Sequence, residues 1–165
     1  EISILQQFIR YLYDPVFSAS IVIGSFLVYS GIGSLIAGKI RFLKSKHIFW
    51  SVLLIGIAGL VFLSLDRWLQ QAISDFPMWL RMLSCSVLIA PLAIPMGIPF
   101  PSGLSTFTAE RDALIPWAWS INGFFSVIGS SASVLIAIRC GFKSIIVIAV
   151  ALYILSAFMY TRLQR

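Results

Sequence analysis

The chain has 165 residues, of which 59% are hydrophobic and 11% charged, with a mean hydropathy of +0.98. Soluble domains carry about 25% charged residues, and one this apolar would expose patches that drive association, so an ordinary soluble enzyme is excluded. The formal net charge of +6 sits in short stretches beside apolar runs, which suits membrane orientation and not nucleic-acid binding.

These properties predict an all-α integral membrane protein, a bundle of about five transmembrane helices. About 20 apolar residues cross the hydrocarbon core as a helix, and every backbone polar group there must be satisfied within the segment. Residues 1–15 come first. Ile2 to Tyr13 is apolar but short, carries Gln6, Gln7 and Arg10, and is ended by Asp14-Pro15. It reads as an interfacial helix or the tail of an upstream element. The chain opens at Glu1 inside this apolar run and reads as part of a longer protein. The transmembrane domain follows over 16–165, with spans expected at 16–38, 48–65, 79–98, 116–138 and 144–160.

The first span carries small residues at four-residue spacing, Ser20 and Gly24, then Ser30, Ser34 and Gly38, with Gly31 nearby. Such faces let helix backbones approach closely, so Gly24, Gly31, Ser34 and Gly38 are expected packing positions. Gly129 in the fourth span offers a partner face; a substrate-lining role is the alternative. The loop after the first span holds Lys39, Arg41, Lys44 and Lys46 beside His47. The positive-inside rule places it in the cytoplasm. Threading from there puts the N-terminus out and the C-terminus in, in a bacterial inner membrane. The segment from Asp66 to Met78 mixes Trp68, Leu69, Ile73 and Phe76 with charged and amide residues, a pattern for lying in the interface.

The third span ends in Pro91, Pro95, Pro99 and Pro101, followed by Ser102-Gly103-Leu104. Each interior proline removes a backbone donor and clashes with the preceding turn. The helix is therefore expected to break at its inner end, as a structural kink or as the wall of a functional cavity. Glu110, Arg111 and Asp112 follow as a solvated cluster. The fourth span opens with Pro116-Trp117-Ala118-Trp119-Ser120-Ile121-Asn122-Gly123. Proline suits a first helical turn and tryptophans suit the interface. An amide in hydrocarbon needs partners, so Asn122 is expected to face the bundle interior, with Gly123 allowing close approach. Candidate contact residues for a substrate or a neighbouring helix are Pro95, Pro99, Phe100, Pro101, Gly103, Trp117, Trp119, Asn122 and Gly123.

Catalytic signatures are missing. No span centre carries an acid, a base or a histidine, and no Walker loop, HExxH or nucleophile elbow occurs. Cys85 and Cys140, with one histidine and no CxxC, read as small buried hydrophobes, with a disulfide or metal pair as the alternative. No cofactor and no metal are expected.

Three stretches resemble a family. They are Ser30-Gly31-Ile32-Gly33-Ser34-Leu35, Met96-Gly97-Ile98-Pro99-Phe100-Pro101-Ser102-Gly103-Leu104, and Pro116 to Gly123 with Ser126-Val127-Ile128-Gly129-Ser130. Their order and spacing look like the transmembrane part of membrane-bound spermidine synthase-like proteins, in which a Rossmann-type aminopropyltransferase-like domain is fused to membrane helices. The resemblance implies a membrane domain that anchors such a module or supplies it with substrate, with the lipid bilayer, that soluble domain and further helices of the parent as partners. It supplies no catalytic residue here, since the glycine loop and the aspartates of the soluble domain are absent from this sequence. Gly33 to Lys46 also resembles the basic inner loop of major facilitator transporters, without its usual aspartate, so a transporter half or subunit is one alternative. A purely structural bundle is the other.

Overall fold

The structure is a computed structural model and describes residues 1–39, 46–105 and 113–163. Helices are the only regular elements among them: α1 (Ile2–Leu12), α2 (Pro15–Lys39), α3 (Lys46–Ser74), α4 (Met78–Met96), α5 (Pro99–Leu104), α6 (Ile115–Cys140) and α7 (Phe142–Leu163). The all-helical architecture expected from composition is present. Among the described residues, three stretches are long and apolar enough to cross a membrane: Pro15–Lys39, Met78–Leu104 and Ile115–Cys140. A fourth arises if Phe49–Leu65 and Trp68–Ser74, which meet at 67°, count as one span, while Phe142–Ser156 is a shorter apolar helix. The bend falls where Asp66 and Arg67 interrupt the apolar run, and it turns the amphipathic Trp68–Ser74 segment away from the axis of the preceding helix. The basic segment 40–45 and the cluster Glu110, Arg111 and Asp112 lie outside the described residues.

The core is built around α1. Its apolar residues recur at positions 4, 8, 11 and 12, the period of one helix face. That face is sealed: Ile4, Phe8, Tyr11 and Leu12 are at most 3% exposed. They pack with Val22 and Phe26 of α2, Phe62 of α3 and Cys85, Ile89 and Ala93 of α4. Phe8 stacks at a tilt on Tyr11 and Phe62, with ring centroids 5.4 and 5.9 Å apart. The short polar-flecked segment at the start of the chain is thus the hub of the bundle, touching α2, α3, α4, α6 and α7.

Local signals explain the turns. Tyr13 ends α1 in the left-handed region (φ 56°). Asp14 Oδ1 then accepts from the N–H groups of Val16 and Phe17 at 2.8 and 3.0 Å, capping α2 as an N-terminal carboxylate should. Arg81 holds the α3–α4 turn, donating from Nε to the Phe76 carbonyl at 2.7 Å and from its terminal nitrogen to the Ser74 carbonyl, with its guanidinium 5.7 Å from the Tyr13 ring centre. Gly141, at φ 81°, makes the tight reversal between α6 and α7 that a side chain would strain.

Candidate functional site

Two glycines bring the backbones of α2 and α4 into close approach. A Cβ on Gly33 would overlap the carbonyl oxygen of Ile94, and one on Gly97 would overlap that of Ser30, each well inside the 3.0 Å that real Cβ atoms essentially never breach. The contact is reciprocal: each helix sets a bare backbone against a carbonyl of the other. Small residues at helix crossings allow this approach. Toward the other end of the same interface, Ser25 Oγ donates to Ser86 Oγ at 2.8 Å, and the Tyr29 hydroxyl lies 3.4 Å from Ser86 Oγ. On α4 the facing residues Cys85, Ile89 and Ala93 are at most 1% exposed. This stripe continues to Gly97 at four-residue spacing, so the two helices close on each other toward the proline-rich end.

Other expected packing glycines stand elsewhere. Gly24, Gly31, Gly38 and Gly129 have no atom within 4 Å of where a Cβ would sit, and Ser34 is half-buried. With Gly33 placed on α4, the helical period turns Gly24, Gly31 and Gly38 to the opposite side of α2. The sequence reading named the motif but not the register. What could have found Gly33 is its match to Gly97, a glycine set between Pro95 and Pro99 on the partner.

The proline stretch has a definite shape. Pro91 and Pro95 lie within α4, which stops at Met96; α5 starts at Pro99. Gly97 (φ −75°, ψ −12°) and Ile98 (φ −84°, ψ −44°) stay right-handed and the Gly97 N–H still donates to the Ala93 carbonyl at 3.2 Å, so Met78–Leu104 counts as one span. Prolines at 91, 95, 99 and 101 cannot donate to the carbonyls of Val87, Pro91, Pro95 and Gly97. The Pro95 carbonyl is taken by the Ile98 N–H at 3.3 Å. Pro95 is buried, while Pro99, Phe100, Pro101 and Gly103 are half-buried. On the α3 side, Pro91 joins Leu54, Ile57, Phe62, Leu88 and Leu92 around an apolar groove of about 340 Å³.

A ring contact joins α5 to α6. The Phe100 and Trp119 rings meet edge to face, 5.0 Å between centroids at 79°, a favoured aromatic geometry. Although α6 packs on α7 and touches α1, only 6% of its membrane-length window is buried. Trp117 is 68% and Trp119 57% exposed. Asn122 and Gly123 are exposed too, and the Asn122 side chain makes no hydrogen bond among the described residues; its carbonyl accepts from Ser126 Oγ at 2.9 Å. The amide expected to face the bundle interior is therefore open. Projected at 100° per residue, Asn122, Ser126, Gly129 and Ser133 share one side of α6, while Phe124, Val127, Ile128 and Leu135 take the other. Trp119 and the buried Ala137 flank the small-residue side, one at each end.

The site thus combines two aromatic rings beside the proline stretch with an open amide one turn along α6. No group of three or more metal-ligating side chains occurs among the described residues. Cys85 is buried in α4 and Cys140 exposed at the end of α6, both as free thiols. The chain matches no family model, no curated protein and no solved structure.

Proposed function

We propose that this chain is the membrane domain of a spermidine synthase-like protein, anchoring or supplying substrate to an aminopropyltransferase-like domain that the chain does not contain. In this reading five helices cross a bacterial inner membrane, with the N-terminus out and the C-terminus in. The shorter α7 and the bent α3 complete the count. A soluble Rossmann-type domain and further helices of the same parent are its partners.

The observation that carries the reading is the junction of α5 and α6. The Phe100 and Trp119 rings, meeting edge to face with centroids 5.0 Å apart, offer π-faces at this junction. Such faces suit an alkylammonium. The open Asn122 amide lies one turn from Trp119. The test is Trp119 emission in the purified chain titrated with putrescine. Saturable quenching that disappears in Trp119→Phe supports the reading, and emission unchanged up to millimolar putrescine contradicts it.

The nearly bare surface of α6 favours one alternative, a subunit of a major facilitator-like transporter completed by more helices. Substrate flux into vesicles, abolished by Asn122→Ala, would select that alternative.

A further inference from the structure

Helix α6 is held near its two ends and bare between them. From Ser120 to Ser131 every residue is exposed, and burial returns at Ala132, Ser133, Ile136 and Ala137. Ala137 is 7% exposed. The helix packs on α7 and touches α1, and the Gly141 reversal joins it directly to α7. At the other end, the Trp119 ring meets Phe100 edge to face. Phe100 belongs to α5, which rests on α2 and α3 close to the Gly33–Gly97 crossing.

The polar side chains of the bare stretch add no tie to the bundle among the described residues. The hydroxyls of Ser120, Ser126 and Ser130 donate to the carbonyls of Pro116, Asn122 and Val127, all within α6. Gly123 and Gly129 have nothing within 4 Å of where a Cβ would sit. Lipid tails are as apolar as leucine, so a helix in a bilayer is held by close packing and interhelical hydrogen bonds rather than by the hydrophobic effect. Residues 120–131 have little of either. The position of this stretch then depends on the packed end and on the ring pair.

We propose that α6 is a lateral gate, a helix that pivots on its packed Ala132–Ala137 end and is closed by the Phe100–Trp119 catch. A helix rises about 1.5 Å per residue, so Trp119 lies roughly 20 Å from the pivot. A swing of about 15° carries its ring some 5 Å, beyond contact with Phe100. Opening parts α6 from α5 and lets a molecule enter the junction sideways from the bilayer. An edge-to-face pair biases an equilibrium about 2- to 10-fold, enough to favour the closed state and little enough to let it open. The gate rests on packing alone and stands whether or not the junction takes an alkylammonium.

Double electron–electron resonance on the full chain in phosphatidylcholine nanodiscs tests it, with Cys140→Ser as background and the native Cys85 buried. One nitroxide pair joins Ile121→Cys, on the side of α6 away from Trp119, to Leu35→Cys on α2. The other joins Ile138→Cys, at the pivot, to the same Leu35→Cys. All three positions are exposed. The parent should show one main distance for the first pair. Phe100→Ala and Trp119→Ala should each raise the fraction of a second distance about 2- to 10-fold and leave the pivot pair unchanged. Phe100→Tyr, which keeps a ring, should return the parent distribution. A first-pair distribution identical in the parent and both alanine variants overturns the gate. So does an equal change in both pairs, which means that α6 has come away whole instead of pivoting.

Discussion

Replacing Gly33 by alanine places a methyl group on the Ile94 carbonyl oxygen. The obstacle is backbone, so no side chain can swing aside. The α2 and α4 backbones must part by on the order of 1 Å, and a gap of that size forfeits up to about half the dispersion attraction of each atom pair it opens. Overpacking of this kind costs about 1–3 kcal/mol, against which the helix propensity of alanine over glycine returns about 1 kcal/mol. The same separation strains the Ser25–Ser86 bond, so the net change is destabilising. Gly31→Ala is the internal control. It lies two residues away in the same helix, with nothing within 4 Å of its Cβ position, and keeps only the propensity gain. Thermal unfolding in detergent, followed by circular dichroism, should show Gly33→Ala melting below and Gly31→Ala at or above the parent. Gly97→Ala should behave as Gly33→Ala does. Equal melting of Gly33→Ala and Gly31→Ala would refute the reciprocal glycine crossing.

Ser86→Ala removes the partner of Ser25 and the neighbour of Tyr29 and should cost about 0.6 kcal/mol, the mean for interhelical hydrogen bonds in membranes, read by the same melt. Asn122→Ala should change the stability of this chain by less than about 0.5 kcal/mol, because the amide is exposed and has no partner to lose; a larger drop would place Asn122 in a helix contact. A double-mutant cycle on Phe100→Leu and Trp119→Leu should return a coupling of about 0.5–1.5 kcal/mol for the edge-to-face pair. Arg81→Lys should lower the melting temperature, because an ammonium cannot hold the Ser74 and Phe76 carbonyls while stacked on Tyr13.

Much of the helical layout is legible in the sequence because apolar runs near 20 residues leave little choice in a bilayer. The expected spans at 16–38, 79–98 and 116–138 lie within stretches that are long enough to cross. The ends were less legible. Lys39 belongs to α2, and α3 continues past Asp66 and Arg67 with a bend, since charge marks a helix's exit from hydrocarbon but does not stop the helix. The role of α1 was masked by Gln6, Gln7 and Arg10, although Ile4, Phe8, Tyr11 and Leu12 hold the spacing of a buried face. Of the candidate site, the Phe100–Trp119 ring contact joins two motifs, and neither motif alone specifies its partner. The inward placement of Asn122 was inferred from desolvation cost alone, and that cost sets a need for a partner without saying which element provides it. The register of Gly33 against Gly97 depends on two helices at once, so neither motif reveals it alone.

The central claim is a helical domain embedded in a membrane, with α6 crossing it between the α5 junction and the Gly141 turn. Single-cysteine labelling in oriented proteoliposomes tests this most directly, with Cys140→Ser as background and the native Cys85 buried. Membrane-impermeant maleimide should reach Asp75→Cys and Lys143→Cys from one face and Ser105→Cys only from the other. Labelling of Ser105→Cys and Lys143→Cys from the same face would contradict a membrane-crossing α6 and the account built on it.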